Sequence, residues 1–325
     1  LLLFKPLVKT MEIYIMKLNK IKLALGFVTA ATLAMPMVAS AAADQEKAMK
    51  DASNWAHPRG QHDNQAYSKL TQINKGNVKN LKAAWTLSTG VNRGHEGSPV
   101  VVGNMLYVHT AFPNNVYALD LNNNQKVVWS YFPKQDPSVQ AVLCCDNVNR
   151  GLGYGDGKIF LQQNDGMLVA LDAKTGAKVW DVRNTDPKVG ATNTNAPHVI
   201  KDKILTGCSG AEFGVRCFIA AYNIADGSLA WKAMSTGSDA DALIGADFNK
   251  DTPLYSALSV YEDVNGGNKQ GGSFKRIPNS QLKGGTTDLG LKTWLKPQAV
   301  KDGWQHGGGS TWGWWPYDAK TNLVY

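Results

Sequence analysis

Apolar and polar positions alternate through the middle of the chain in a unit that recurs. Val116-Tyr-Ala-Leu-Asp120 leads to Trp129, Leu168-Val-Ala-Leu-Asp172 to Trp180, and Ile219-Ala-Ala-Tyr-Asn223 to Trp231, with the units about fifty positions apart. Each reads as a strand, a turn (Asn122-Asn-Asn124, Lys174-Thr-Gly176, Asp226-Gly227) and a second strand closing on tryptophan. Two of the turns carry the glycine that tight hairpins favour. A repeat of about fifty residues holding several short strands is the mark of a β-propeller blade, whose faces are buried against neighbouring blades. The fold class is therefore all-β, and the repeated tryptophans are expected to pack between blades. Ala83-Ala-Trp85-Thr-Leu-Ser-Thr-Gly90 reads as the closing strand of an earlier unit. Tyr317-Asp318-Ala-Lys-Thr321 reads as the turn of a later one.

Three stretches fall outside the repeat. From Gln45 to Asn77 the chain is polar, predicting a short helix or arm around Ala48 to Trp55 and then loop. From Asp247 to His306 the period breaks among glycine pairs and prolines, which predicts an irregular surface insertion. Before both, Met16 is a better start than Leu1, followed by Lys17, Lys20 and Lys22, an apolar run from Leu23 to Val38, and Ala39-Ser40-Ala41. That is the layout of a secretory leader. The run is short for a membrane span, contains Pro36 and lacks a charged stop flank, so no stable membrane anchor is expected. The reading is thus residues 1–43 as upstream residues plus leader and 44–325 as a partial propeller, because the blades counted to Tyr325 do not close a ring.

Charge changes this picture little. The formal net charge is +8, part of it in the leader, and with 18% charged residues and no basic run there is no nucleic-acid footprint. Export matters more, since it puts the four cysteines in an oxidising space. Cys144 and Cys145 are adjacent. Their Cα atoms lie about 3.8 Å apart, below the roughly 4.4–6.8 Å most disulfides span, so a bond closes a strained ring; in an oxidising compartment the bonded form is the expected one. Cys208 and Cys217 are either joined across a hairpin or buried as thiols, and buried thiols are expected.

Further stretches interrupt the blade pattern: Gly94-His-Glu96-Gly, Thr192-Asn-Thr194-Asn-Ala-Pro197, Ser209-Gly-Ala-Glu212-Phe-Gly214 and Gly307-Gly-Gly-Ser310-Thr-Trp312-Gly-Trp314-Trp315. Each alone reads as turn chemistry. Together with Arg150 they describe a pocket at strand ends, where propellers build sites near their axis. Arg150 offers a planar fork suited to a carboxylate or quinone oxygen. Glu212 offers a hard oxygen to a hard cation, and Trp312 a flat apolar face. Gly151-Leu-Gly-Tyr-Gly-Asp-Gly157 imitates a nucleotide loop, but no helix pattern follows, and Asp156-Gly157 reads as a hairpin turn.

Cys144-Cys-Asp-Asn-Val-Asn-Arg150, Ser209-Gly-Ala-Glu-Phe-Gly-Val-Arg216 and Gly307-Gly-Gly-Ser-Thr-Trp-Gly-Trp314 resemble the large catalytic subunit of methanol dehydrogenases dependent on pyrroloquinoline quinone (PQQ), eight-bladed periplasmic quinoproteins. The likeness covers nearly all of Gln45 to Tyr325 except the insertion, about half the family's length. It implies that Cys144 and Cys145 form a disulfide on one face of the quinone and Trp312 covers the other. By the same likeness Glu96, Arg150, Thr194, Ser209, Gly210 and Ala211 hold its carboxylates and carbonyls. Ser310 is another such position, where threonine is more usual. Glu212 matches a metal ligand. The implied activity is oxidation of methanol or another short primary alcohol by metal-assisted hydride transfer to PQQ, with cytochrome c as electron acceptor. The implied assembly is a homodimer, with or without a small subunit. The aspartate that takes the alcohol proton and an asparagine metal ligand are expected beyond Tyr325, so no catalytic residue is assigned. Glu212-Phe-Gly-Val-Arg-Cys217 and Phe112-Pro-Asn-Asn-Val116 are closer to the lanthanide branch, Ala211 to the calcium branch, and the balance favours lanthanide. Two alternatives share parts of the pattern: a quinoprotein dehydrogenase for ethanol or larger alcohols, and a non-catalytic propeller scaffold of the envelope. The scaffold has no use for Cys144-Cys145, Glu212 and Trp312 together.

Overall fold

The computed structural model describes residues 43–236, the strand residues 260–263 and 274–277, and residues 308–325. The expected leader, Gly307 and the rest of the 247–306 insertion lie outside the described residues.

Three antiparallel four-stranded sheets follow one another, each a meander in chain order. The first holds β1 (Val100–Val102), β2 (Met105–His109), β3 (Val116–Asp120) and β4 (Lys126–Tyr131). The second holds β5 (Leu152–Gly155), β6 (Lys158–Gln162), β7 (Met167–Asp172) and β8 (Lys178–Arg183). The third holds β9 (His198–Ile200), β10 (Lys203–Thr206), β11 (Phe218–Asn223) and β12 (Leu229–Met234). Two hairpins complete the described strands: β13 (Val260–Asp263) with β14 (Phe274–Ile277), and β15 (Tyr317–Asp318) with β16 (Leu323–Val324). The first of these hairpins falls within the stretch expected to be irregular. The second is the predicted late turn.

Local chemistry explains the turns. Asp156 and Gly157 both have positive φ (51° and 63°), the pair of left-handed residues that a two-residue primed turn requires. Asp172 Oδ1 accepts from the amides of Lys174 and Thr175 at 3.0 and 2.8 Å, closing the β7–β8 turn with its own side chain.

The second sheet is apolar on both faces because both are covered. Ile159, Leu161, Val169 and Leu171 pack with Val100, Tyr107, Val116 and Trp129 of the first sheet. The alternate residues Phe160, Leu168 and Ala170 pack with Val199, Ile204, Phe218 and Tyr222 of the third. The strand period of two thus divides one continuous apolar run between two cores. Two of the repeated tryptophans bridge sheets as expected. Trp129 Nε1 donates to Ala173 O at 3.0 Å and its ring lies over Gly176, where an added Cβ would sit 2.6 Å from the indole. Trp180 repeats the arrangement one sheet on, with Ile224 O at 3.3 Å and its ring over Gly227. Trp231 differs, being 45% exposed on β12.

The N-terminal region departs from expectation in two ways. Its helix, α1, spans 43–50 and so begins earlier than the arm predicted around Ala48 to Trp55. It ends where Asp51 Oδ1 takes the amide and hydroxyl of Ser53 at 2.9 and 2.7 Å, making a turn instead of another helical residue. Residues 83–90, read as a closing strand, belong to no strand; Trp85 is 42% exposed there. A strand needs a partner ladder, and among the described residues this stretch has none. Segment 43–63 instead crosses the innermost strands. Asp44 accepts from the amides of Asp156 and Gly157, Trp55 bridges Val101, and His62 O accepts from Tyr317 N at 2.9 Å.

Candidate cofactor site

In a four-stranded meander, the connection entering strand one and the connection between strands two and three leave at the same end of the sheet. That places the loops 91–98, 144–151, 184–197 and 207–217 together at one end of the three sheets. These are the stretches that carry most of the singled-out residues.

Arg150, just before β5, is where they meet. Its side chain is 9% exposed, and Nη2 lies 3.5 Å from Glu96 Oε2. Nη1 donates to Thr194 O at 3.2 Å, and the guanidinium sits 4.5 Å from the centre of the Trp312 ring. Burial pulls the Arg150 pKa below its ordinary value, and the Glu96 carboxylate opposes that shift. Thr194 continues the chain of contacts, its hydroxyl 2.5 Å from that of Ser209. Thr194 and Ser209 are 1% and 5% exposed. Glu96 reaches the site because Gly97 passes directly over His109; an added Cβ there would lie 1.9 Å from the imidazole.

Cys144 and Cys145 are bonded, as expected. Their loop runs through three consecutive left-handed residues, Cys145, Asp146 and Asn147. It is tied to the Glu96 loop by Asp146, which accepts from Arg93 Nη1 and from Gly94 N, both at 2.9 Å. Those bonds, the arginine's first, hold the Asp146 carboxyl below its usual pKa. Cys145 is exposed and Cys144 half-buried.

Cys208 and Cys217 are also bonded, with Cα atoms 5.5 Å apart, correcting the expectation of two thiols. The reason is register: Cys208 follows β10 and Cys217 precedes β11, so the antiparallel pair brings them opposite one another inside the disulfide range. The bond closes the loop that carries Ser209 to Glu212. Within it, Gly210 has φ 113° and packs so tightly on Gly190 O that an added Cβ would lie 2.0 Å away. A 3-10 turn, Ala211–Phe213, follows and leaves Glu212 exposed. Among the described residues no group of three or more His, Cys, Asp or Glu side chains is arranged to hold a metal ion.

Several contributors were not singled out from sequence. Thr311 fastens the Ser310–Trp312 stretch to the third sheet: its hydroxyl accepts from Cys208 N at 3.0 Å and donates to Phe218 O at 2.5 Å. Ser310 beside it is half-buried. Beneath the loops runs a buried asparagine network. Asn114 donates to Asn164 Oδ1 at 2.7 Å; Asn164 donates to Val148 O and Asn193 O; Asn184 donates to Asn193 Oδ1 and Gly207 O. Asn114 and Asn164 occupy equivalent loops about fifty residues apart, the signal by which the repeat itself points to them.

Residues 55–253 match the family model described as PQQ, glucose/ethanol/alcohol dehydrogenase, beta-propeller domain. The chain is 48% identical over 290 residues to a lanthanide-dependent methanol dehydrogenase of Methylorubrum extorquens, covering 88% of this chain and 43% of that protein. It is 45% identical over 282 residues to methanol dehydrogenase [cytochrome c] subunit 1 of the same organism, covering 85% and 40%. Among solved structures, a europium-containing methanol dehydrogenase aligns with a TM-score of 0.68 at 42% identity, over 86% of this chain and 42% of that one. The chain therefore spans less than half the length of these relatives. With its sheets, their connecting loops and most of its length matched, the chain belongs to the β-propeller family of PQQ glucose, ethanol and alcohol dehydrogenases.

Proposed function

We propose that this chain is the cofactor-holding part of a longer, periplasmic PQQ-dependent dehydrogenase that oxidises methanol, or another short primary alcohol, to the aldehyde and passes electrons to cytochrome c. The observation that carries the reading is the junction at Arg150, where one buried guanidinium meets Glu96, Thr194 and Trp312 from three separate stretches. A planar, polyanionic quinone needs flat apolar walls, a fixed cation and hydrogen-bond donors. The Cys144–Cys145 loop and Trp312 would supply the walls, and Arg150 the charge. The Thr194 and Ser209 hydroxyls and the Gly210 and Ala211 amides would supply donors, with Glu96 and Ser310 at the rim. Glu212 would give one hard oxygen to a lanthanide or calcium ion. Bound PQQ with its metal accepts hydride from an alcohol.

The chain's own part is orientation and shielding. Arg150 presents two donors in a fixed plane, and the fork cannot turn away without losing Glu96 and Thr194 together. Its burial excludes water, which strengthens each polar contact to a bound anion. Lanthanide preference rests on the motif likeness and on relatives of that kind at 48% and 43% identity. A homodimer, with or without a small subunit, is part of the same proposal, as is export by the leader.

The test uses a full-length product of the relatives' size. It should reduce an electron-accepting dye with methanol only when PQQ and lanthanum or calcium are both present, and Arg150→Ala should abolish PQQ retention. A full-length product that binds no PQQ would sink the reading. Residues 43–325 alone should show no turnover, and dye reduction by that stretch would overturn the assignment of the reacting carboxylate to later sequence.

A further inference from the structure

Three imidazoles gather where segment 43–63, the third sheet and the last described hairpin meet. His57 lies 5.3 Å from His198 and 5.6 Å from His62, ring centre to ring centre and edge to face. His198 continues to Trp315 at 5.1 Å and His62 to Tyr317 at 5.3 Å. His57 and His198 are each 1% exposed. Both ring nitrogens of His198 are buried without a hydrogen-bond partner among the described residues, a desolvation cost that phenylalanine of similar shape would not carry. Packing alone does not call for histidine here.

We propose that the His57–His62–His198 cluster is an acid-opened latch, which keeps segment 43–63 docked across the inner strands near neutral pH and releases it when the surroundings acidify.

The groups facing each ring set the direction. His57 is faced by His198, His62 and Arg59, whose amide donates to Nδ1 at 3.1 Å, and every one of these disfavours a positive ring. His198 is faced by His57, His62 and the uncharged Trp315; burial brings its pKa down to about 3. His62 is the softest member: burial lowers it, while Glu46 at 3.2 Å and Asp63 pull the other way, and the Tyr317 ring packs on it. Docked, His57 and His198 are held in the neutral form. Released, each ring returns towards its ordinary value of 6.5. The released state therefore binds more protons below that value, and release grows as pH falls. His57 and His198 should each contribute about tenfold between pH 7.5 and 5.5, about a hundredfold together. His109 is also buried and held at about 4, but its ring faces Gly97 and Asn149 O and touches no member of the cluster. The proposal does not depend on the cofactor reading.

Amide hydrogen exchange on the full chain, corrected for intrinsic exchange, provides the test. The reporters are Trp55 N, bonded to Val101 O at 2.8 Å, and Tyr317 N, bonded to His62 O at 2.9 Å, compared with amides of β7. The expected result is that both exchange faster than β7 at pH 5.5 and lose about a hundredfold in protection from pH 7.5 to 5.5. His198→Phe should cut that factor to about tenfold, and His57→Asn should do the same. The latch is overturned if Trp55 and Tyr317 share the protection and pH dependence of β7, or if neither substitution changes the factor. Should a variant fail to fold, the comparison of Trp55 with β7 in the unmodified chain decides alone.

Discussion

Arg150, just before β5, and Phe160, within β6, lie on the two arms of one hairpin and are about equally buried, at 7% and 0% exposure. What holds them differs. Phe160 is packed by hydrocarbon from the second and third sheets, a redundant set in which any one contact can be lost. Arg150 is held by single contacts from three loops, Glu96, Thr194 and Trp312, each without a substitute. The sheets spend many weak contacts on stability. The loops spend few strong ones on aim. Damage to the first should therefore appear in unfolding and damage to the second in ligand affinity.

The largest effect should come from the sheets. Phe160→Ala should cost about 3–5 kcal/mol in urea unfolding, by lost burial plus the cavity left between two sheets. Acid should act on the same body. His109 falls from 6.5 to about 4 on burial, so its contribution is complete above the unfolded value and is lost as pH drops from 6.5 towards 4. That is about 3 kcal/mol from one residue, read as the pH dependence of the unfolding free energy. Removing the second disulfide with Cys208→Ser and Cys217→Ser should cost somewhat less, about 2–3 kcal/mol from loop entropy, and the same denaturation experiment measures it. Arg150→Lys should be the smallest in stability, within about 1 kcal/mol, because charge and stem remain. In the full-length product it should nevertheless weaken PQQ at least tenfold by titration. An Arg150→Lys variant that unfolds early yet binds normally would break the comparison.

Sequence reading reached the repeated body because its causes are local. Alternation about Val169 and Leu171, the Asp156-Gly157 turn and the tryptophans spaced about fifty residues apart all act within one or two units. The Cys208–Cys217 bond escaped because its cause is the register of β10 on β11, which a spacing of cysteines does not reveal. Thr311 escaped for a similar reason: it looks like one more small polar residue until the third sheet is beneath it. Of the candidate site, Glu96, Arg150, Thr194, Ser209 and Trp312 come together in one chain of contacts. They were legible as departures from the blade pattern and through the family likeness. The contacts of segment 43–63 were not, since Asp44 meets Asp156 and His62 meets Tyr317 from more than a hundred residues away.

Those long reaches also set an order of events. A chain that emerges amino end first presents α1, His57 and His62 before any strand they rest on exists. Asp44 has its partners only once residue 157 has appeared, and His62 waits for residue 317. This early segment is therefore among the last to find its seat, left without its partners while the sheets assemble behind it. Contacts so distant in sequence are slow to form. Segment 43–63 should accordingly be open to proteases during biogenesis, and better guarded once the sheets are in place.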